Sequence, residues 1–142
     1  MNTILKRDDL VYPDLSYKII GCAFEVFNEI GSGHKELAYQ KALGISFKSK
    51  DLTFKEQVYF PLTFKNEVIG RNYFDFLVDE KIVVEIKSLS KFTKGHYDQV
   101  LNYLNTSGLK LALLINFGTE EVKCKRVVNF KAVNPDSQIR KH

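Results

Sequence analysis

Two strand-like runs within residues 73–87 constrain this chain more than any other feature, because charged residues interrupt them. Their apolar positions follow the period of two that is typical of β-strands. The polar residues 79–81 fit a hairpin turn between antiparallel strands. The interruptions are Asp75 on the first strand and Glu85 and Lys87 on the second. In the register that such a turn favours, Asp75 and Glu85 are cross-strand neighbours.

The direction of the side chains decides which of these residues can act together. Successive side chains of a strand point to opposite faces, so Glu85 and Lys87 share one face while Val84 and Ile86 share the core face. On the first strand the same rule predicts two groups of alternate residues, Tyr73, Asp75 and Leu77 against Phe74, Phe76 and Val78. Two carboxylates as close as Asp75 and Glu85 repel each other unless a cation or a proton lies between them.

A divalent metal site suits this arrangement. Mg²⁺ prefers oxygen ligands, usually takes one or two carboxylates, and completes its octahedron with water and phosphate oxygens. Lys87 beside such an ion can position a water molecule or neutralise charge that develops on a phosphate. The structural alternative is that a Glu-x-Lys pair on a strand simply belongs to a solvated sheet face, as short patterns of this kind often do.

Length and composition indicate a single domain over residues 1–142. A chain of 142 residues can bury a core without disulfides or structural metals. Cys22 and Cys124 form no Cys-x-x-Cys pattern, which argues against a zinc site and favours thiols in a reducing cytoplasm. The sequence shows no signal peptide and no apolar run long enough to span a bilayer. We therefore expect a cytoplasmic protein with no membrane partner.

The basic bias of the chain is a property of its C-terminal end. The formal net charge is +4, and six of the 21 basic residues fall within residues 123–142 together with a single acid, Asp136. A basic tail can follow phosphates, but a short one is more often a solubilising segment. We expect residues 134–142 to form a disordered tail.

Hydrophobic periodicity predicts the order helix, helix, three strands, helix, strand, strand. The predicted helices run from a cap at Asp14 to a stop at Gly31, from about residue 35 to 50, and from a cap at Thr93 to about residue 106 with a stop at Gly108. The predicted strands cover residues 53–64, the two runs that bear Asp75 and Glu85, residues 111–116 and residues 126–130. The inner face of the second helix is predicted to hold Leu37, Ala38, Ala42 and Ile45. The fold class is therefore α/β, with a mixed sheet of the α+β kind and helices packed on it.

Further polar residues lie on the second and third predicted helices. Gln99 and Tyr103 are four residues apart, hence on one helix face, and His96 lies one turn earlier. This stripe can cover the charged edge of the sheet, although a solvent-facing role is the alternative, which we prefer for His96. Glu36 can add a carboxylate to the site, or it can be a first-turn acid that interacts favourably with the helix dipole.

Gly33, Glu36 and Tyr39 match the Gly-x-x-Glu-x-x-Tyr motif of the GxxExxY family, and the rest of the chain resembles that family in order and spacing. Such proteins resemble compact members of the PD-(D/E)XK nuclease superfamily. The resemblance covers about residues 14–130. It implies a restriction-endonuclease-like αβββαβ core with an extra N-terminal helix, in agreement with the order predicted above. Residue 74, where the superfamily name has Pro, is Phe.

The resemblance also implies roles for individual residues. Asp75, Glu85, the Ile86 carbonyl and Glu36 would hold Mg²⁺ or Mn²⁺, Lys87 would position the attacking water, and Gln99 and Tyr103 would contact the scissile region. The chain would then be a metal-dependent nuclease that hydrolyses phosphodiester bonds of DNA, and small nucleases of this type often cut duplexes as homodimers. The alternative is a nucleic-acid-binding or protein-interaction module that keeps the nuclease fold without turnover. A glycosidase that uses two carboxylates fits poorly, because Lys87 and the Gln99–Tyr103 stripe would have no task.

Overall fold

The computed structural model describes residues 11–133, and these form one mixed sheet with helices on both faces. The helices are α1 (Pro13–Ile30), α2 (Glu36–Ser49), α3 (Lys94–Ser107) and the short α4 (Phe130–Val133). The strands are β1 (Phe54–Phe64), β2 (Glu67–Val78), β3 (Ile82–Ser88), β4 (Leu111–Phe117) and β5 (Val122–Val128). The predicted α/β class and the predicted order of elements are confirmed.

The sheet has five strands in the order β1-β2-β3-β4-β5. β3 and β4 are parallel and α3 connects them, whereas the other neighbouring pairs are antiparallel. Tight turns join the antiparallel strands at Lys65–Asn66 and Asp79–Glu80, where all four residues have positive φ. Two consecutive left-handed residues are typical of the type I′ turn, whose twist matches that of the flanking strands. The hairpin turn predicted from residues 79–81 is therefore confirmed.

Helices α1 and α2 cover one face of the sheet. Their buried residues pack on a continuous apolar layer from the central strands, which includes Phe76, Val84, Ile86, Leu113 and Ile115. A parallel strand between neighbours is buried on both faces and reads as an unbroken apolar run, and residues 111–115 of β4 are all buried. This layer holds β3 and β4 rigidly and fixes the residues at their carboxyl ends.

Helix α3 covers the other face. Val100 and Leu104 pack on Leu77, Val83 and Leu114. The helix begins with a capping box in which the Thr93 hydroxyl accepts from the His96 N–H at 3.2 Å while the His96 ring accepts from the Thr93 N–H at 3.2 Å. It ends at Gly108, whose φ of 79° is the left-handed conformation that favours glycine at a helix C-terminus. The predicted cap and stop of this helix are confirmed.

The β1–β2 hairpin changes face halfway along its length. Phe76 packs with the α1 and α2 layer, but Phe74, only two residues away, packs with the α3 layer. The predicted grouping of Phe74 with Phe76 is therefore wrong. The break lies where Gln57, with a φ of +52°, stands opposite Asp75 between the pairs Glu56–Phe76 and Val58–Phe74. A left-handed residue inside a strand increases the local twist, as a β-bulge does.

The predicted inner face of α2 is also wrong. Leu37 and Ile45 are 60% and 70% exposed, while Tyr39, Leu43 and Phe47 are fully buried. Apolar residues lie on two sides of this helix. The side with the aromatic rings faces the core, because burial of large rings removes the most apolar area from water. Gly44 lies on the buried side, where a Cβ atom would be in ordinary van der Waals contact with Phe54 and Phe76.

Two smaller predictions, on the start of α1 and the bounds of the last strand, need correction, and a third falls outside the described residues. Asp14 does not cap α1, because the helix begins at Pro13 and Asp14 sits within the first turn. The last strand spans Val122–Val128 rather than residues 126–130, because antiparallel pairing with β4 sets its limits. The tail predicted for residues 134–142 lies outside the described residues. Within residues 11–133, no helix is both long and apolar enough to cross a membrane.

Candidate active site

Asp75 and Glu85 face each other across β2 and β3 and form the centre of the site. The backbone N–H of Asp75 donates to Glu85 Oε1 at 2.6 Å, and the backbone N–H of Ile86 donates to Asp75 Oδ2 at 2.8 Å. Each carboxyl group thus accepts a hydrogen bond from the opposite strand. The predicted cross-strand approach of Asp75 and Glu85 is confirmed.

The pair exists because the ladder between β2 and β3 is short. Backbone pairing runs only from Val78–Ile82 to Phe76–Val84, and β2 then diverges. Backbone N–H groups left without a ladder partner need other acceptors, and the two carboxyl groups supply them. Gln57, the residue of β1 with left-handed backbone conformation, stands opposite Asp75 at the same point of divergence.

Both carboxyl groups are partly buried, and their pKa values reflect this. Burial, followed by the charge of Asp75, raises the pKa of Glu85 to about 8. Burial also raises the pKa of Asp75, against the lowering effects of the Ile86 N–H, the hydrogen bond with Glu85 and the Lys87 ammonium group. Burial and the neighbouring Asp75 charge thus favour the neutral form of Glu85. A cation between the two carboxyl groups would relieve the same repulsion.

Ile86 and Lys87 add an oxygen and an amine to the same region. A residue in a strand sends its N–H and C=O towards the same neighbour, so the Ile86 carbonyl faces the edge where its N–H meets Asp75. Lys87 lies two residues after Glu85 on the same face of β3, and its charge acts on both carboxyl groups. Lys87 forms no ion pair with any residue between 11 and 133 and is only partly buried.

Glu36 approaches the pair from the other face of the sheet, at the first turn of α2. It is exposed, and its charge raises the pKa of Asp75. The preceding loop is fixed to the sheet, because Ser88 Oγ donates to the His34 carbonyl at 2.7 Å. The Tyr39 hydroxyl donates to the Gly31 carbonyl at 2.7 Å and closes the same loop. This anchoring brings the start of α2 to the carboxyl end of β3.

Gln99 and Tyr103 lie on α3 at the face of the sheet that bears Glu85. The Tyr103 ring packs between Phe60 and Phe74, with centroid distances of 4.8 and 4.7 Å. Burial, followed by the charge of Glu80, raises the pKa of Tyr103, whereas the charge of Lys55 lowers it.

Neither Gln99 nor Tyr103 is hydrogen-bonded to Asp75, Glu85 or Lys87 in the described part of the chain. Their contact with substrate therefore stays a prediction. His96 takes part in the capping box and is partly buried, so it does not simply face solvent, which was the role the sequence favoured for it.

The donor set fits a hard divalent cation. It offers only oxygen atoms, from the carboxylates of Asp75 and Glu85 and the Ile86 carbonyl, and Mg²⁺ commonly takes one or two carboxylates with water completing its shell. Within residues 11–133, no three Asp, Glu, His or Cys side chains gather closely enough to form a ligand cluster on their own. The structure thus brings together two of the three predicted acids, and the role of Glu36 as a ligand stays a prediction.

The sequence did not indicate Gln40, a residue of α2 that holds the part of β1 opposite Asp75 in place. Gln40 is buried on α2, donates to Glu56 Oε1 at 3.3 Å and accepts from Gln57 Nε2 at 3.2 Å. These bonds hold β1 at the residue opposite Asp75. The available signal was a polar residue next to Tyr39 on the buried stripe of α2.

Comparison with known proteins gives a matching family and distantly similar solved structures. A solved structure titled "Crystal structure of SSO0001" is similar to 84% of this chain over 70% of its own, at 16% identity and a TM-score of 0.42. A score this low supports no argument about fold or function. No curated protein is similar enough to count as a match. A family model described as the PD-(D/E)XK nuclease superfamily matches residues 13–140. The match covers most of the sequence and agrees with the mixed sheet and its acidic pair, and the chain belongs to the PD-(D/E)XK nuclease superfamily.

Proposed function

We propose that this protein is a Mg²⁺- or Mn²⁺-dependent nuclease that hydrolyses phosphodiester bonds of DNA. The observation that carries the proposal is the meeting of Asp75 and Glu85 where β2 leaves β3, with Lys87 on the same face of β3. Superfamily membership supports a nucleic-acid substrate. The choice of DNA, and of these two ions, comes from the resemblance of the sequence to the GxxExxY family.

Each residue of the site would have a separate role in the proposed reaction. Asp75, Glu85 and the Ile86 carbonyl would hold the ion, and Glu36 would orient the site or bind a second ion. When bound, such an ion lowers the pKa of a water ligand and stabilises the charge of the phosphoryl transition state. Lys87 would position the attacking water and offset charge on the phosphate oxygens.

The glycine-rich loop before α2 supports the finer family assignment. Gly33 has a φ of +88°, a conformation that favours glycine, and the Tyr39 hydroxyl closes the loop on Gly31. Glu36 is then held where its charge acts on Asp75. Each residue of the Gly-x-x-Glu-x-x-Tyr pattern thus has a physical task, and we infer that the chain is a GxxExxY protein.

The nuclease proposal is tested by cleavage of plasmid and single-stranded DNA with Mg²⁺, with Mn²⁺ and with EDTA. We expect metal-dependent cleavage that is lost in Asp75→Asn and retained in the control Glu67→Gln, which changes an exposed acid at the start of β2. Equal cleavage by the wild type and Asp75→Asn would overturn the mechanism.

The second candidate is a nucleic-acid-binding or protein-interaction module without turnover. It is favoured by the hydrogen bonds of the acidic pair, whose oxygens already accept backbone N–H groups, and by the raised pKa of Glu85, which favours the neutral carboxyl group. DNA binding in EDTA combined with no cleavage under either metal, and no Mn²⁺ binding by titration calorimetry, would select this candidate.

We also propose a homodimer and a cytoplasmic location. The outer part of the β1–β2 hairpin exposes large apolar side chains, namely Tyr59, Leu62, Phe64, Val68, Ile69 and Tyr73. Apolar exposure of this extent supports a protein contact, and light scattering after size exclusion measures whether a second copy supplies it. Cys22 and Cys124 are free thiols, as expected in a reducing compartment.

A further inference from the structure

A cavity of about 480 Å³ opens on the α3 side of the sheet, beside β4 and β5. The residues that matter for its chemistry are Lys91, Phe92, Tyr97, Asn116, Lys123 and Lys125. Within residues 11–133, no acidic residue lines it. Its volume lies within the range of about 300–1,000 Å³ that is usual for ligand pockets, and it takes no part in the site described above.

The cavity shares a sheet face with the acidic pair. Glu85 pairs with Leu114, which pairs with Lys125, so these three form one cross-strand row. Lys87 pairs with Asn116, which pairs with Lys123, in the next row. Neighbouring strands lie about 4.8 Å apart, which places the two β5 lysines about 10 Å from Glu85 and Lys87. A strand of nucleic acid can therefore reach both places at once.

The charge of the cavity favours an anion. Neither Lys91 nor Lys125 forms an ion pair with any residue between 11 and 133. Lys123 lies 3.9 Å from Glu121, but both side chains are well exposed, and such pairs contribute little. The Lys125 ammonium group lies 5.2 Å from the centroid of the Tyr97 ring. A flexible lysine in this position can leave the ring for a phosphate.

The aromatic lining favours an unpaired base. Phe92 and Tyr97 both offer partly buried rings to the cavity. Proteins bind single strands by stacking bases on aromatic rings beside a positively charged groove, and this stacking tolerates any base. Bases within a duplex already stack on each other and cannot enter a cavity without leaving the helix.

We propose that this cavity binds one unpaired nucleotide of a nucleic-acid strand, next to the bond that is cut. The base would stack on Phe92 or Tyr97, and the phosphates on either side would contact Lys91, Lys123 and Lys125. This inference rests on the proposed function, because it names the form of substrate that the same site would accept. The protein would then favour single strands or frayed ends over closed duplexes.

The test is fluorescence anisotropy of a labelled 12-nucleotide oligothymidylate in EDTA, where no cleavage occurs. We expect the double variant Lys91→Glu, Lys125→Glu to bind at least about tenfold more weakly than the wild type. The slope of log affinity against log salt should fall by about 1.4, because each phosphate contact on a single strand contributes about 0.7. The matched control is Lys41→Glu, Lys48→Glu, which makes the same charge change on the exposed side of α2 and should bind within about threefold of the wild type.

Tyr97→Leu separates stacking from charge. We expect it to weaken binding several-fold with an unchanged salt slope, because the ring contacts no phosphate. Circular dichroism melting confirms that each variant is folded before its affinity is compared. Equal losses in the two lysine double variants would overturn the cavity as the binding site, and equal wild-type affinity for a blunt duplex would overturn the unpaired base.

The two proposals fail in different ways. If the lysine variants lose binding selectively but the wild type cleaves nothing with Mg²⁺ or Mn²⁺, the cavity stands and the nuclease proposal fails. If cleavage depends on Asp75 while Lys91→Glu, Lys125→Glu binds as well as the control, the cavity proposal alone fails.

Discussion

The backbone N–H of Asp75 donates to Glu85 Oε1 at 2.6 Å, so a carboxyl oxygen replaces the ladder carbonyl that β2 would otherwise meet. In the opposite direction, the Asp75 carboxyl group accepts a hydrogen bond from the Ile86 N–H at 2.8 Å. Structural and chemical roles therefore coincide in the same two side chains. Substitutions that keep an oxygen acceptor and remove the charge can separate these roles.

Asp75→Asn tests the chemical role. The amide oxygen can still accept from the Ile86 N–H, so we expect a melting temperature close to that of the wild type. Loss of groups that merely orient metal ligands commonly costs 10–100-fold, and loss of a ligand should cost at least about 100-fold in cleavage rate. Cleavage rate on single-stranded DNA with Mn²⁺, measured beside a thermal melt, provides the check. A variant that unfolds would show that the acceptor bond was not preserved.

Glu85→Gln tests the electrostatic strain of the pair. Because the pKa of Glu85 is raised from 4.5 to about 8, the folded protein binds more protons than the unfolded chain between these values. The free energy of unfolding in EDTA should therefore fall as pH rises from 4.5 to 8 and then level off. Glutamine carries no charge and removes this dependence.

At pH 8.5 in EDTA we expect Glu85→Gln to be more stable than the wild type by about 1–2 kcal/mol, although it loses cleavage. Urea unfolding at pH 5 and pH 8.5 measures the difference, which should vanish at the lower pH. Glu67→Gln, at an exposed position, should show no such dependence. A wild-type protein whose stability rises across this range would contradict the raised pKa.

Metal should stabilise the fold through the same pair. An ion at 100 times its dissociation constant adds about 2.7 kcal/mol to the free energy of unfolding, or a rise of about 10 °C in the melting temperature of a domain this size. We expect Mn²⁺ to raise the melting temperature of the wild type and EDTA to reverse the rise. Asp75→Asn should lose most of the effect, and an equal rise in that variant would place the ion elsewhere.

Leu43→Ala tests which side of α2 faces the core. Leu43 is fully buried against the α1 and sheet layer, and truncation of a buried leucine costs about 2–5 kcal/mol. Leu37→Ala is the matched control, because Leu37 is 60% exposed on the same helix, and it should change stability by less than about 0.5 kcal/mol. Denaturant unfolding of both variants decides between the two faces.

The sequence predicted the acidic pair because local rules determine it. The turn at Asp79–Glu80 sets the register, the register places Asp75 opposite Glu85, and no distant contact is needed. The cap at Thr93 and the stop at Gly108 were predictable for the same reason. These features depend on residues that are neighbours in the chain.

Predictions that depended on distant partners were wrong. The face of Phe74 depends on the left-handed residue Gln57 in the other strand, which no period within β2 indicates. The buried side of α2 depends on which stripe meets Phe54 and Phe76. Gln40 was missed because its partners, Glu56 and Gln57, are also distant in sequence.

Phe60 and Phe74 still pack on Tyr103 of α3, but beyond them, within residues 11–133, the tip of the β1–β2 hairpin is held only by its own strand pairing. β2 pairs with β3 only from Phe76 to Val78, whereas its pairing with β1 continues to the turn at Lys65–Asn66. An isolated two-stranded ribbon is at best marginally stable in water. Deuterium should therefore replace the amide protons of residues 62–70 by local opening, long before it reaches those of Leu113 or Ile115 in β4, and this tip can bend without disturbing β3 and β4.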